Sequence, residues 1–80
     1  MLTREKLIEI LRDGQCFLQH DLFTNEAGLA HLLGLTPRTL RNWREVGNGP
    51  RAHYTSRVLY DIDEIVRWYN DFSTQRSRSG

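Results

Sequence analysis

Sulfur and metal chemistry have little to work with in this chain. Its one cysteine, Cys16, cannot form an intrachain disulfide. His20, His31 and His53 lie far apart, without the close spacing of zinc ligands, so no metal site is expected. Cys16 stands beside Phe17 and Leu18 and reads as a packed small hydrophobe rather than a reactive thiol. No apolar run approaches the ~18 residues of a membrane span, so no membrane partner is expected. The N-terminus mixes acidic with basic residues and lacks the apolar core of a signal peptide, so a cytoplasmic location is expected. Also missing are a Gly-rich phosphate loop, an H-E-x-x-H helix and a serine nucleophile elbow. Asp61, Asp63 and Glu64 cluster, but at a helix start, where capping and dipole compensation account for them. No catalytic residue, cofactor or small-molecule substrate is therefore expected, and the chain reads as a non-enzyme.

Apolar side chains are scarce too, at 39% of 80 residues, which points to one domain with a small core. Two Trp, three Tyr and three Phe supply the large surfaces such a core needs. Trp43 and Trp68 are expected inside it rather than as stacking platforms. Net charge is only +1, but it is unevenly spread. Residues 1–35 carry Arg4, Lys6 and Arg12 against Glu5, Glu9, Asp13, Asp21 and Glu26, a net of −2. Residues 36–60 carry Arg38, Arg41, Arg44, Arg51 and Arg57 against Glu45, a net of +4. Residues 61–80 return to −1. A polyanion is attracted to the middle segment. The modest total implies few phosphate contacts per subunit.

That middle segment follows a recognisable local grammar. Asn25 to Val46, NEAGLAHLLGLTPRTLRNWREV, reads as two short helices joined by a tight turn. Ala30, Leu32 and Leu33 give the first an inward face. Gly34 ends it, because Gly adopts a left-handed C-cap without strain. Leu35 plugs the turn. Thr36 caps the second helix and Pro37 takes its first position, where a missing N–H costs nothing. Cap, short helix, Gly, apolar residue, cap and second helix is the order of a helix-turn-helix, whose second helix enters a DNA major groove. At 100° per residue, Leu40 and Trp43 point toward a core. Arg38, Arg41, Asn42 and Glu45 share the opposite face. Arg pairs in bidentate fashion with guanine and Asn with adenine. Thr39 and Arg44 flank this face, within reach of phosphates, and Thr36 stands at its start. An ordinary amphipathic helix with a solvated basic face would show the same wheel; the capped turn before it favours DNA.

On either side the pattern is simpler. Thr3 to Asp13 reads as a helix capped by Thr3, striped by Leu7, Ile8, Ile10 and Leu11, and stopped by Gly14. Gln15 to Phe23 has no clean period and reads as a connector holding a short extended piece. Val46-Gly47-Asn48-Gly49-Pro50 is a turn or loop. Arg51–Tyr54 and Arg57–Tyr60, around Thr55 and Ser56, read as a small β-hairpin with Val58 and Tyr60 inward. Arg51, Thr55, Ser56 and Arg57 are its candidate DNA contacts. His53 and Tyr54 contact the DNA backbone or pack beneath the hairpin. Asp61-x-x-Glu64 makes a capping box, followed by Ile62, Ile65, Trp68, Tyr69 and Phe72 at helical spacing. Residues 73–80 hold no apolar side chain and read as a disordered tail. The expected fold class is mainly α with a small β-hairpin, a winged helix-turn-helix. It divides into an N-terminal helix and connector at 1–22, a DNA-binding domain at 23–72, and the tail.

L-G-L-T-P-R-T-L-R-N-W at Leu33–Trp43, Gly49-Pro50, R-V-L-Y at Arg57–Tyr60 and D-E-I-V-R-W at Asp63–Trp68 together resemble the excisionase and AlpA-type winged helix-turn-helix family, which is related to the DNA-binding heads of MerR-type regulators. The resemblance covers about residues 23–72. It implies Arg38, Thr39, Arg41 and Asn42 on the recognition helix and Arg57 on the wing. It also implies a protein of a phage or mobile element that bends DNA beside an attachment site in support of an integrase, or that regulates a promoter. The expected partners are double-stranded DNA, further copies of the chain on repeated sites, and an integrase. A full MerR-type activator is disfavoured, because only eight polar residues follow Phe72, too few for a dimerising coiled coil. An adaptor without DNA binding would lack Arg38, Arg41 and Asn42. Gly28 departs from the pattern, since Gly inside a helix lowers stability by roughly 1 kcal/mol against Ala. The N-terminal helix is an addition to the minimal family domain.

Overall fold

The computed structural model describes the backbone of residues 1–79 and the side chains of residues 1–71. Seven elements follow one another: α1 (Arg4–Asp13), β1 (Phe23–Asn25), α2 (Glu26–Leu33), α3 (Pro37–Glu45), β2 (Ala52–Tyr54), β3 (Val58–Asp61) and α4 (Ile62–Ser79). About half the chain is helical, as expected of a mainly α protein with a small β-hairpin. The 73–80 tail, expected to be disordered, instead continues the helical backbone of α4 as far as Ser79, while its side chains lie outside the described residues. No helix among the described residues is long and apolar enough to cross a membrane.

Thr3 caps α1 as expected, its Oγ1 accepting from Lys6 N at 3.1 Å. The helix ends differently from expectation. Gly14 keeps an ordinary φ of −83°, and the left-handed residue is Gln15, at φ 56°. Cys16 N then donates to Leu11 O at 2.8 Å and Gln15 N to Arg12 O at 3.0 Å, which satisfies the last carbonyls of the helix. The connector holds more order than its sequence pattern suggests. His20 and Asp21, at φ 53° and 55°, form a tight turn closed by Leu22 N to Gln19 O at 2.9 Å. Arg12 holds that turn through Asp21 Oδ2 at 2.7 Å, and Arg4 through the Asp21 carbonyl at 2.6 Å. The turn feeds a strand, β1, that no alternation of three residues announces.

The hairpin β2–β3 is present, but it is part of a three-stranded antiparallel sheet of order β1-β3-β2. Thr24, Tyr60 and Ala52 stand in one row, and Asn25, Leu59 and His53 in the next. The first row faces the helices, with Thr24 and Tyr60 fully covered. Tyr60 was expected inward, but Leu59 in the opposite row is buried as well.

The core gathers Leu2, Leu7 and Leu11 with Leu29, Ala30, Leu40, Tyr60, Ile62 and Ile65. Each fully buried Leu or Ile contributes about 1.5–3 kcal/mol. The N-terminal segment and the rest of the chain therefore share one core. Leu2 N donates to Asn70 Oδ1, and Asn70 Nδ2 to Leu2 O, both at 2.9 Å, which fastens the chain start to α4. The inward face of α2 is Leu29 and Ala30, with Leu32 and Leu33 only half-buried. Trp43 and Trp68 are also half-buried and meet edge to face at 6.5 Å, a rim contact rather than the expected core pair. Asp61 Oδ1 caps α4 by accepting from Asp63 N at 2.8 Å and Glu64 N at 3.1 Å. The reciprocal half of the expected box does not close, because Glu64 reaches His53 instead, at 3.4 Å.

Gly28 has a steric reason that outweighs its helix propensity. A Cβ there would run into Thr24 Oγ1. Thr24 cannot give way, because it is fully buried and its hydroxyl donates to Phe17 O at 2.6 Å. Gly28→Ala is expected to lower unfolding free energy by about 1–3 kcal/mol in urea melts, although Ala is the better helix former. A more stable variant would refute the close packing of α2 on β1.

Candidate nucleic-acid interface

The turn between α2 and α3 forms as its residues dictate. Gly34 adopts φ 71°, Leu35 N donates to Ala30 O at 2.9 Å and Gly34 N to His31 O at 3.3 Å. Thr36 Oγ1 accepts from Thr39 N at 3.2 Å, and the two threonine hydroxyls lie 3.0 Å apart. Thr36 and Thr39 thus hold the first turn of α3 with the groups that were candidate DNA contacts.

Beyond that turn, Leu40 is buried against α2, while Arg38, Arg41, Asn42 and Glu45 are exposed together on the far face. None of these four forms an ion pair with a described residue. Val46, the C-cap residue just beyond α3, is 73% exposed. Two guanidinium groups and a carboxamide, unspent on the fold and aimed outward, can pair with base edges or phosphates.

Arg44 is a correction. Its side chain turns inward and is only 21% exposed, against 19% for Glu26. Nη2 approaches Glu26 Oε2 at 3.4 Å and Nη1 donates to Tyr54 Oη at 3.3 Å. The guanidinium also lies 5.6 Å from the Tyr54 ring centre, in cation–π range. The Tyr54 hydrogen bond, and after it the Glu26 charge, raise its pKa against the opposing effect of burial. The helical wheel placed Arg44 at the flank of the face that carries Arg38, Arg41, Asn42 and Glu45. Its partners, one helix back and one strand ahead, lie outside what a wheel contains.

At the hairpin tip, Thr55 N donates to Arg57 O at 3.0 Å, and Thr55 Oγ1 donates to the same carbonyl at 2.9 Å. The Thr55 hydroxyl is thereby spent on the turn. Ser56 remains exposed at the tip, and Arg51 is exposed just before β2. Arg57 is exposed but not loose, since its guanidinium lies 5.2 Å from the Phe17 ring centre. Phe17, from the connector, is a supporting residue that sequence reasoning missed. His53 is held by Glu64 and by the Phe23 ring edge at 5.9 Å, so it packs beneath the hairpin. Tyr54 is 67% exposed, with its hydroxyl engaged by Arg44.

Burial pushes the Cys16 thiol pKa up, which favours its neutral form. Among the described residues, no group of three or more His, Cys, Asp or Glu is arranged to hold a metal ion. The chain matches no protein-family model, no curated protein and no solved structure.

Among the described residues, neither Tyr60 Oη nor Arg44 Nε, both buried, has a hydrogen-bond partner. Burial, and after it the Glu26 charge, raise the Tyr60 pKa, against the opposing influence of Arg44. The folded state thus favours the neutral phenol. That contribution is complete below the unfolded value of about 10 and is lost as pH rises through the folded one. Chemical melts are expected to weaken above about pH 10, and Tyr60→Phe is expected to flatten the decline. At pH 7 the same variant should stay within about 1 kcal/mol of the parent, because it deletes an unpaired hydroxyl. A loss of several kcal/mol at pH 7 would show that the hydroxyl has a partner.

Proposed function

We propose that the chain is a winged helix-turn-helix protein that binds double-stranded DNA as an excisionase. It loads on repeated sites beside an attachment site and bends the duplex so that an integrase can act. The observation that carries this reading is the outer face of α3, where Arg38, Arg41 and Asn42 stand exposed beside Glu45, with no ion pair to any described residue. Arg suits guanine, Asn adenine, and Glu accepts from cytosine. The element order supports it as well. Two capped helices cross a tight turn, a hairpin follows, and a strand before the first of those helices completes the sheet. The hairpin is then the wing, and Arg57 its contact to the backbone or minor groove. The resemblance of Leu33–Trp43 and the later segments to the excisionase family points the same way.

With Arg44 paired to Glu26, the free cations of the 36–60 segment are Arg38, Arg41, Arg51 and Arg57. Four phosphate contacts from that segment give a salt slope of about −4. A single subunit is therefore a weak binder, and useful affinity comes from several copies on one DNA. Successive insertions of helix and wing along one side of the duplex bend it, which needs no cofactor.

Arg38→Ala and Asn42→Ala are each expected to weaken cognate binding by ~1–3 kcal/mol with the melt unchanged. Parent-like titrations on cognate DNA would exclude this face. Arg57→Ala is expected to weaken binding to all sequences alike and to reduce the salt slope by about one unit. Footprinting of the DNA flanking the encoding gene tests the role itself. Cooperative protection of repeats beside an integrase attachment site supports the excisionase. Protection of one operator over a promoter, with straight DNA, makes the chain a small transcriptional regulator.

A further inference from the structure

Arg44 joins α3 both to α2 and to the hairpin strand β2. α3 packs chiefly on α2, and its backbone has little contact with the wing strands. Among the described residues, the hydrogen bond that links α3 to the wing is Arg44 Nη1 to Tyr54 Oη, at 3.3 Å. The same guanidinium reaches Glu26, the first residue of α2, with Nη2 at 3.4 and 3.5 Å from its two oxygens. Turning Arg44 outward would leave the Glu26 carboxylate mostly buried and unpaired, which is costly. The Tyr54 ring completes the grip by lying against the guanidinium face.

We infer that Glu26, Arg44 and Tyr54 form a clamp that sets the wing at a fixed position relative to the reading helix, so that Arg44 is a positioning residue for DNA and not a phosphate contact. The inference rests on the DNA-binding reading above. Its consequence runs against simple electrostatics. Removing the Glu26 charge makes the protein more positive, and a polyanion should then bind more tightly. If Glu26 holds the clamp, the same change loosens the wing and binding weakens.

The test uses Glu26→Gln and Tyr54→Phe in the full chain, with two readouts. The first is backbone amide relaxation of the free protein. Amides of residues 52–58 are expected to gain mobility in both variants, while those of α1 and α4 stay as in the parent. An equally ordered wing in both variants overturns the clamp whatever DNA does. The second is titration with duplex DNA, with and without Arg57→Ala. Glu26→Gln is expected to weaken binding about three- to tenfold, and Arg57→Ala to add little in that background, because the wing is already misplaced. Tighter binding by Glu26→Gln, or a fully additive loss with Arg57→Ala, makes Arg44 a contact restrained by Glu26 and overturns the proposal. A parent that binds no duplex DNA under any salt condition overturns the DNA reading, and the positioning role with it; that result is distinct from tighter binding by the variant.

Discussion

The contact on which most of this fold depends is the approach of α2 to β1 at Gly28 and Thr24. Thr24 is a fully covered polar residue whose hydroxyl reaches back to the Phe17 carbonyl. One hydrogen bond thereby fixes the connector, the strand and the helix lying on it. Because Gly28 has no side chain, α2 sits low enough on the sheet for Leu29 and Ala30 to meet Leu7, Leu11 and Tyr60 in one core. The position of α2 then decides that of α3, since the Gly34 turn between them is short and fully hydrogen-bonded. The outward aim of Arg38, Arg41 and Asn42 thus originates in a buried threonine more than ten residues before them.

Local chemistry was legible from the chain, and contact between distant segments was not. Thr3, Gly34, Thr36, Pro37 and Asp61 do what their types predict, because caps and turns are settled within four residues. Leu40 inside and Arg41 outside also follow from a wheel alone. By contrast, β1 is three residues long and exists only because β3 offers it an edge. Gly28 reads as a defect until Thr24 is beside it. The inward face of α2 was read incompletely: Ala30, Leu32 and Leu33 do turn to the core, but Leu29 is covered as well, by a helix, α1, that a wheel of α2 does not contain. Glu64 suits a capping box by spacing, but His53 is the partner it meets.

The candidate site divides along the same line. Arg41 and Arg44 are both arginines on one nine-residue helix with basic neighbours. Among the described residues, only Arg44 of the two forms an ion pair, with Glu26, and lies on an aromatic ring, that of Tyr54. One arginine is thereby turned from ligand chemistry to architecture. The charge of the 36–60 segment, read as a sum, overstates what a polyanion would meet, because part of it is neutralised internally. Phe17 acts in the other sense, since it leaves Arg57 solvent-facing while restricting where its charge can be.

Held in this way, the two cationic sets gain in geometry what they lack in number. A DNA-binding protein of the kind proposed, with four free cations in its 36–60 segment, cannot depend on a diffuse field, which salt screens within roughly 8–10 Å. It has to present each cation where a phosphate or base edge will be, so that little conformational entropy is lost on contact. Both aromatic contacts serve that end. Tyr54 ties the wing to α3 through Arg44, and Phe17 steadies Arg57 at the wing tip. Under the proposed function, Tyr54 and Phe17 therefore matter to binding without touching DNA, because they set where the hairpin and Arg57 stand. The exposed Tyr54 ring is better understood as part of that support than as a surface awaiting a partner, because its hydroxyl and one ring face are already engaged.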